Sequence, residues 1–161
     1  MLQVLILYTS STGHTEEIAD LLEKQLDSRM CKVTSENFEM GDMETRHLLQ
    51  FDGILFGTYT YDDGDLPFET DIFCDTLRTV DLTGKVVGVF GSGDTAYEQF
   101  CSAVDLMKME FTQQNAQVIQ HSVKIDLSPD TQEDLQSIKK LADEFQQTTL
   151  NLISLKETRN V

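Results

Sequence analysis

Short apolar runs alternate with helical patterns along most of the chain, and this alternation limits the folds open to it more than any other feature. Residues 2–8, 53–57 and 85–90 are apolar runs of the length expected for strands buried on both faces of a sheet. Ile18, Leu22 and Leu26 lie at the spacing of an amphipathic helix that follows the first run. Strands that alternate with helices predict an α/β fold, a doubly wound parallel sheet with right-handed crossovers and helices on both faces.

Weaker patterns complete this fold. Residues 32–38 resemble an edge strand, residues 44–49 a short helix, and residues 117–125 the last strand. Pro67 suits the first turn of a third helix, whose predicted buried residues are Ile72, Phe73 and Leu77. The two later helices are predicted from stripes of Phe100, Val104, Met107 and Phe111, and of Leu135, Ile138, Leu141, Ala142 and Phe145. We therefore expect one domain over residues 1–147, followed by a C-terminal tail, residues 148–161, whose structure the sequence leaves open.

The charge of the chain is strongly acidic. It has 28 acidic and 12 basic residues, a formal net charge of −16. Such a surface repels nucleic acid and anionic lipid and attracts basic protein faces. The acids are concentrated in one segment, at Asp62, Asp63, Asp65, Glu69, Asp71 and Asp75.

Other features exclude several classes of protein. No apolar run reaches the length of about 18 residues typical of a membrane span. The three cysteines are widely spaced and odd in number, which favours neither a disulfide framework nor a metal site. Because Met1 leads directly into the first predicted strand, we expect a cytoplasmic protein without a signal peptide.

The loop after the first strand is unusually polar. Residues 9–15 carry five hydroxyl side chains in seven positions, between a strand and a helix. Backbone N–H groups at a helix N-terminus attract anions, and a loop without Lys or Arg suits a single phosphate better than a nucleoside triphosphate. Taken alone, the composition is also explained by a turn that only caps the helix.

Two further loops are expected beside it, because the carboxyl ends of parallel strands meet at one edge of the sheet. Each carries an aromatic residue, Tyr61 and Tyr97, and two aromatic planes form a slot for a flat ring. A ring with one phosphate describes a mononucleotide, and FMN fits best. Residues 91–96 also match G-x-G-x-x-A, but this motif follows the fourth strand rather than the first, which argues against NAD.

The three loops together resemble those of the flavodoxins, in their short-chain branch, over nearly the whole chain. The motifs are TSSTGHT at residues 9–15, TYTYDDGDLP at 58–67 and GSGDTAYEQFCSAVD at 91–105. The resemblance implies a five-stranded sheet in the order 2-1-3-4-5, non-covalently bound FMN and low-potential transfer of single electrons. It also implies contacts to the phosphate from Ser10, Ser11, Thr12, Gly13, His14 and Thr15. The ring contacts that it implies are Thr58, Tyr59, Thr60, Tyr61, Asp62 and Asp63 on the inner face, Ser92, Gly93, Asp94 and Tyr97 on the outer face, and the backbone near Cys101 at the pyrimidine edge.

Two residues depart from the pattern of that family. His14 stands where Asn is usual, which adds a group that can carry a positive charge beside the phosphate. Asp62 stands where many members have Gly, at the peptide that flips to bond the flavin semiquinone. Asp adopts positive φ less readily than Gly, so we expect the flip to be less favourable here.

The expected function is that of a free-standing one-electron carrier without catalytic residues. Its acids would disfavour the extra negative charge of fully reduced FMN and orient basic-faced redox partners, such as a ferredoxin/flavodoxin-NADP reductase or another low-potential oxidoreductase. We expect a monomer that binds neither nucleic acid nor membrane. Two alternatives stay open: a small FMN-dependent quinone reductase, and a flavin-free phosphoacceptor signalling domain. The latter needs acids where the chain has Thr9, Ser10, Gly57 and Thr58.

Overall fold

A parallel sheet forms the centre of the computed structural model, which describes residues 1–39 and 44–160. Its order is β2-β1-β3-β4-β5, and β6 also pairs with β4, so the predicted order 2-1-3-4-5 is confirmed. The strands are β1 (Leu2–Tyr8), β2 (Cys31–Asn37), β3 (Gly53–Tyr59), β4 (Val86–Gly93), β5 (Gln117–Val118) and β6 (Val123–Asp126). All pairings are parallel, and β1, β3 and β4 therefore end at the same edge of the sheet.

Helices cover both faces of the sheet. They are α1 (His14–Gln25), α2 (Phe68–Leu77), α3 (Ser102–Gln113) and α4 (Gln132–Arg159), with a short 3-10 helix over Thr45–Gln50. The alternation of side chains along β1 places Val4 and Ile6 in the core beneath α1 and α4, and Leu5 and Leu7 in the core beneath α2 and α3. No helix in the described ranges is long and apolar enough to cross a membrane.

The last predicted strand is divided in two. Residues 117–125 were expected to be continuous, but β5 ends at Val118 and β6 begins at Val123. Between them the Gln120 carbonyl accepts a hydrogen bond from Lys108 Nζ at 2.7 Å, and His121 Nε2 lies 3.0 Å from the Ser137 carbonyl oxygen. These residues thus bond to the flanking helices instead of to β4.

Two residues predicted to be buried are exposed. Ile72 lies on the outer side of α2, where Thr70 and Cys74 take the buried positions, and Leu135 is exposed in the first turns of α4. Both fall at the margin of an apolar stripe, where spacing alone does not fix the direction of the side chain. The short predicted helix is a 3-10 helix and starts at Thr45.

The tail is helical, because α4 continues without a break from Gln132 to Arg159. Thr149 is buried there and its hydroxyl donates to the Phe145 carbonyl at 2.7 Å. Lys156 Nζ donates to the Gly84 carbonyl, also at 2.7 Å, so the end of α4 lies near the start of β4. Val161 lies outside the described residues.

Candidate functional site

Residues 9–15, the phosphate loop, connect β1 to α1 in a tight turn. The Ser10 hydroxyl accepts hydrogen bonds from the Gly13 N–H at 3.1 Å and the Glu16 N–H at 3.4 Å. Gly13 adopts a φ of 92°, which is strained for residues with a Cβ. The hydroxyl of Ser10 therefore organises the turn, and the glycine permits its shape.

Four amides of this turn are available to a ligand. Within the described residues, no acceptor is bonded to the backbone N–H groups of Ser11, Thr12, His14 and Thr15. These groups lie at the N-terminus of α1, where the helix dipole is positive. Unpaired amides at a positive helix end form an anion site that needs no cationic side chain.

The inner loop, residues 58–65, is closed by a backbone bridge. Tyr61 N–H donates to the Asp65 carbonyl at 2.8 Å, and Asp65 N–H donates to the Tyr61 carbonyl at 2.9 Å. Asp62 lies in this turn with a φ of 49°. It therefore adopts the left-handed conformation that Asp adopts less readily than Gly. The Tyr61 side chain is 57% exposed at the tip of the loop.

The outer loop, residues 92–101, begins at the end of β4. The Asp94 carboxylate accepts a hydrogen bond from the Ala96 N–H at 2.9 Å, and Tyr97 N–H donates to the Asp94 carbonyl at 3.1 Å. Tyr97 is 45% exposed. A Cβ on Gly93 would lie 2.9 Å from Cys101 Sγ, so glycine allows the close approach of these two segments.

Cys101 is a buried packing residue. Its side chain has no exposed surface, and burial raises the pKa of its thiol to about 12. A thiol that stays protonated is a poor nucleophile, so the structure gives Cys101 no reactive role. Its backbone has a φ of 53°, directly before α3 begins.

Side-chain contacts join the loops. Thr15 Oγ1 and Ser92 Oγ lie 2.8 Å apart, which links the phosphate loop to the outer loop. Glu69 Oε1, on α2, accepts hydrogen bonds from the Thr9 hydroxyl at 2.7 Å and the Tyr59 hydroxyl at 3.0 Å. Burial and this bond to Glu69 raise the pKa of Tyr59 to about 12. His14 Nδ1 lies 3.0 Å from the Ser128 hydroxyl in the loop after β6.

The three loops surround one cavity of about 250 Å³ at the carboxyl edge of the sheet. Most of the residues selected from the sequence line it: Ser10, Ser11, Thr12, His14, Thr15, Tyr59, Thr60, Tyr61, Asp62, Ser92, Gly93, Asp94, Tyr97 and Cys101. Gly13, Thr58 and Asp63 do not line it. Thr58 is instead buried against Thr70, Gly13 forms the turn of the phosphate loop, and Asp63 accepts a hydrogen bond from the Gln99 N–H at 3.2 Å.

Two lining residues, Gln99 and Leu127, were not predicted. Leu127 follows β6 with a φ of 59°, and its N–H donates to the Gly93 carbonyl at 2.9 Å. The signal for Leu127 was its position at the end of the last strand, because that strand ends at the same edge as the others. No comparable signal exists for Gln99, which reaches the cavity through the path of the outer loop.

The lining of the cavity fits FMN. One end offers unpaired amides and hydroxyls for a phosphate, and the other offers two tyrosines and the close backbone of Gly93 for a planar ring. Within the described residues, no group of His, Cys, Asp and Glu side chains could hold a metal ion.

Comparisons with known proteins agree with this geometry. The family model described as flavodoxin matches residues 6–148. Probable flavodoxin 1 of Bacillus subtilis is 37% identical over 90% of this chain and 90% of its own length, and probable flavodoxin 2 is 38% identical over 83% and 88%.

Solved structures show the same relationship. Oxidised flavodoxin 2 from Bacillus cereus is 42% identical, with a TM-score of 0.85 over 91% of this chain and 99% of that one. The flavodoxin of Streptococcus pneumoniae TIGR4 is 36% identical, with a TM-score of 0.82 over 89% of this chain and 97% of that one. The sheet order, the three-loop cavity and these matches together assign the chain to the flavodoxin family, the electron carriers that use bound FMN.

Proposed function

We propose that this flavodoxin is a low-potential carrier that passes single electrons between basic-faced redox proteins in the cytoplasm, and that it has no substrate of its own. FMN supplies the one-electron chemistry when it is bound. The polypeptide holds its phosphate in the phosphate loop, holds its ring between the inner and outer loops, and leaves one edge open to a partner.

The charge around the cavity supports this role above all. Residues 61–75 contain six acids and no Lys, Arg or His, and residues 92–107 contain three acids and again no cation. Of these nine acids, Asp75 is paired with Arg78 and Asp105 with Lys124. Asp62, Asp63 and Asp65 are exposed, and no cationic side chain among the described residues pairs with them. Negative charge beside the ring disfavours its full reduction, which lowers the potential, and attracts a partner with Lys and Arg at its surface.

The exposure of the two tyrosines supports a carrier rather than an enzyme. Tyr61 and Tyr97 reach solvent at the mouth of the cavity, and no described element covers them. A substrate pocket beside the ring needs a wall that excludes water. An open mouth instead permits the close approach of two proteins that electron transfer requires.

Stopped-flow kinetics of electron transfer test the proposal. The FMN-loaded protein is mixed with a ferredoxin/flavodoxin-NADP reductase over a range of NaCl concentrations. We expect the rate constant to fall steeply as salt rises, because salt screens the attraction between acidic and basic faces. A rate independent of salt would contradict a basic-faced partner.

Two further measurements separate the carrier from an enzyme. Anaerobic reductive titration should give two resolved one-electron steps with the second at low potential. Rapid oxidation of NADH or NADPH by the purified protein, without the reductase, would instead indicate a quinone reductase-type enzyme. The two potentials and the NADPH oxidation rate can be obtained from the same preparation.

A further inference from the structure

The first turn of α2 exposes a large aromatic side chain that the fold does not use. Phe68 is 79% exposed, more than any other large apolar residue described, and Ile72 follows one turn later at 39%. The core-facing side of α2 is already filled by Thr70, Phe73, Cys74 and Leu77. Phe68 therefore contributes little to the core and leaves an apolar stripe on the surface.

This stripe lies beside the FMN cavity. Glu69, the next residue, accepts hydrogen bonds from Thr9 and from Tyr59, which lines the cavity. The Thr70 hydroxyl lies 3.0 Å from that of Thr58, at the end of β3. These contacts fix the first turn of α2, so Phe68 projects from a rigid base at the rim of the site.

The acids nearest Phe68 in sequence are uncompensated. Asp65, Glu69 and Asp71 lie within three residues of it and form no ion pair among the described residues, whereas Asp75, one turn beyond Asp71, is paired with Arg78. An aromatic side chain surrounded by charges of one sign is typical of an interface anchor, where a central apolar contact is enclosed by a polar rim. The complementary surface has an apolar socket with Lys and Arg around it. A second copy of this chain, with a net charge of −16, does not offer that rim.

We propose that Phe68, extended by Ile72, is the apolar anchor by which this flavodoxin docks a basic-faced redox protein. This inference rests on the proposed function and adds the contact that holds the partner once charge has brought it near. The acids accelerate the encounter, whereas insertion of Phe68 slows dissociation. Docking at the rim brings the partner directly to the exposed tyrosines at the mouth of the cavity.

Electron transfer from the reduced, FMN-loaded protein to a ferredoxin/flavodoxin-NADP reductase tests the anchor. Phe68→Ala is compared with wild type and with Leu155→Ala as a matched control. Leu155 is 56% exposed and lies near the end of α4, where Lys156 bonds to Gly84 before β4, at the opposite edge of the sheet. Asp71→Asn reports the contribution of charge alone.

Phe68→Ala should weaken the complex about tenfold, which corresponds to about 1.4 kcal/mol, and should do so equally at low and high salt. Asp71→Asn should reduce the dependence on salt, and Leu155→Ala should match wild type. FMN affinity and both potentials should be unchanged in Phe68→Ala, because Phe68 does not line the cavity.

Three outcomes would overturn the anchor. If wild type shows salt-dependent transfer but Phe68→Ala equals Leu155→Ala, the proposed function stands and the anchor is wrong. If wild type itself shows no salt-dependent transfer, the proposed partner is wrong and the anchor with it. If sedimentation shows a wild-type dimer that Phe68→Ala converts to a monomer, the stripe binds a second copy of the chain instead.

Discussion

The two ends of the FMN cavity are built in different ways. The backbone turn of the phosphate loop is shaped over short stretches of sequence, since Ser10 bonds to amides three and six residues away. Its side chains then join this turn to distant segments, as Thr15 does with Ser92. The end formed by the inner and outer loops is held across the chain. Asp63 bonds to Gln99, Gly64 to Ser102 and Thr60 to Ala103, over separations of 36, 38 and 43 residues.

This difference suggests that one end of the cavity sets FMN affinity and the other sets the reduction potentials. The phosphate end offers backbone amides in a fixed turn, whose attraction for an anion does not depend on the oxidation state of a distant ring. The ring end carries exposed acids on loops that depend on each other for position. We therefore expect changes at the phosphate end to alter FMN affinity, and changes at the ring end to alter the potentials.

The largest effect is expected from a negative charge placed at the phosphate end. Ser11 is exposed and lines the cavity, so Ser11→Glu should fold normally and repel the phosphate. FMN binding to the apoprotein should weaken about 100-fold, equivalent to about 2.7 kcal/mol. Fluorescence quenching of the flavin on binding measures the affinity.

Riboflavin, which has no phosphate, provides the contrast for this variant. Ser11→Glu should leave riboflavin affinity unchanged, and the uncharged Ser11→Gln should lose much less FMN affinity. An equal loss for both flavins would mean that residues 9–15 do not hold the phosphate.

A double-mutant cycle on Thr15 and Ser92 tests how strongly the two ends are joined. Their hydroxyls are buried and lie 2.8 Å apart. Thr15→Val or Ser92→Ala alone leaves one buried hydroxyl without its partner, which should lower the free energy of unfolding of the apoprotein by about 1 to 2 kcal/mol. Urea unfolding measures this free energy.

The double variant decides whether the contact matters. The double variant should lower the free energy of unfolding by less than the sum of the two single changes, because no buried hydroxyl is left without its partner. Additive losses would mean that the two hydroxyls act independently.

The same difference explains what could be predicted from the sequence. The phosphate loop was recognisable because its hydroxyls, glycine and helix start are contiguous. The parallel sheet followed from the alternation of strands and helices, whereas its order came from the resemblance to the flavodoxins. Gln99 was missed because its place depends on how distant loops cross, whereas Leu127 had a signal in its position after the last strand. Spacing likewise placed Ile72 and Leu135 in the core, although the packing of neighbouring elements leaves them exposed. The helical tail carries its apolar residues without a clear stripe, so only its packing on the core reveals it.

Removal of charge at the ring end should alter a potential without releasing FMN. Asp62→Asn, Asp63→Asn and Asp65→Asn together keep the hydrogen-bonding capacity of the inner loop, and Asn tolerates the positive φ of Asp62. Each carboxylate, at roughly 10 Å from the flavin ring in water, disfavours the charge on the reduced ring by ~0.4 kcal/mol. Removal of three such charges should therefore raise the potential of the second reduction by roughly 50 mV. Spectroelectrochemical titration measures it.

A control with the same change in charge is available on α4. Asp143→Asn, Glu144→Gln and Glu157→Gln together should shift the potential far less, because these residues lie away from the cavity. The account of the acids fails if both triple variants shift the potential equally, or if neither shifts it.

The smallest effect concerns Glu69, which contacts both ends through Thr9 and Tyr59. Glu69→Gln keeps an acceptor oxygen but removes the charge, so the pKa of Tyr59 should fall from about 12 towards its ordinary value. It should not fall completely, because burial is the largest cause of the shift. In wild type, the unfolded chain loses this proton between pH 10 and 12 while the folded chain keeps it, so stability falls as pH rises through that window. Because Glu69→Gln lowers the folded-state pKa of Tyr59, the pH range over which this proton lowers stability should end at a lower pH than in wild type.

Carbon-13 NMR of labelled tyrosine follows each hydroxyl separately, and Glu16→Gln is the matched control. That variant should lower the pKa of Tyr8, also raised to about 12 by burial and by Glu16, and leave Tyr59 unchanged. An identical Tyr59 titration in wild type and Glu69→Gln would show that Glu69 does not act on the ring end through its charge.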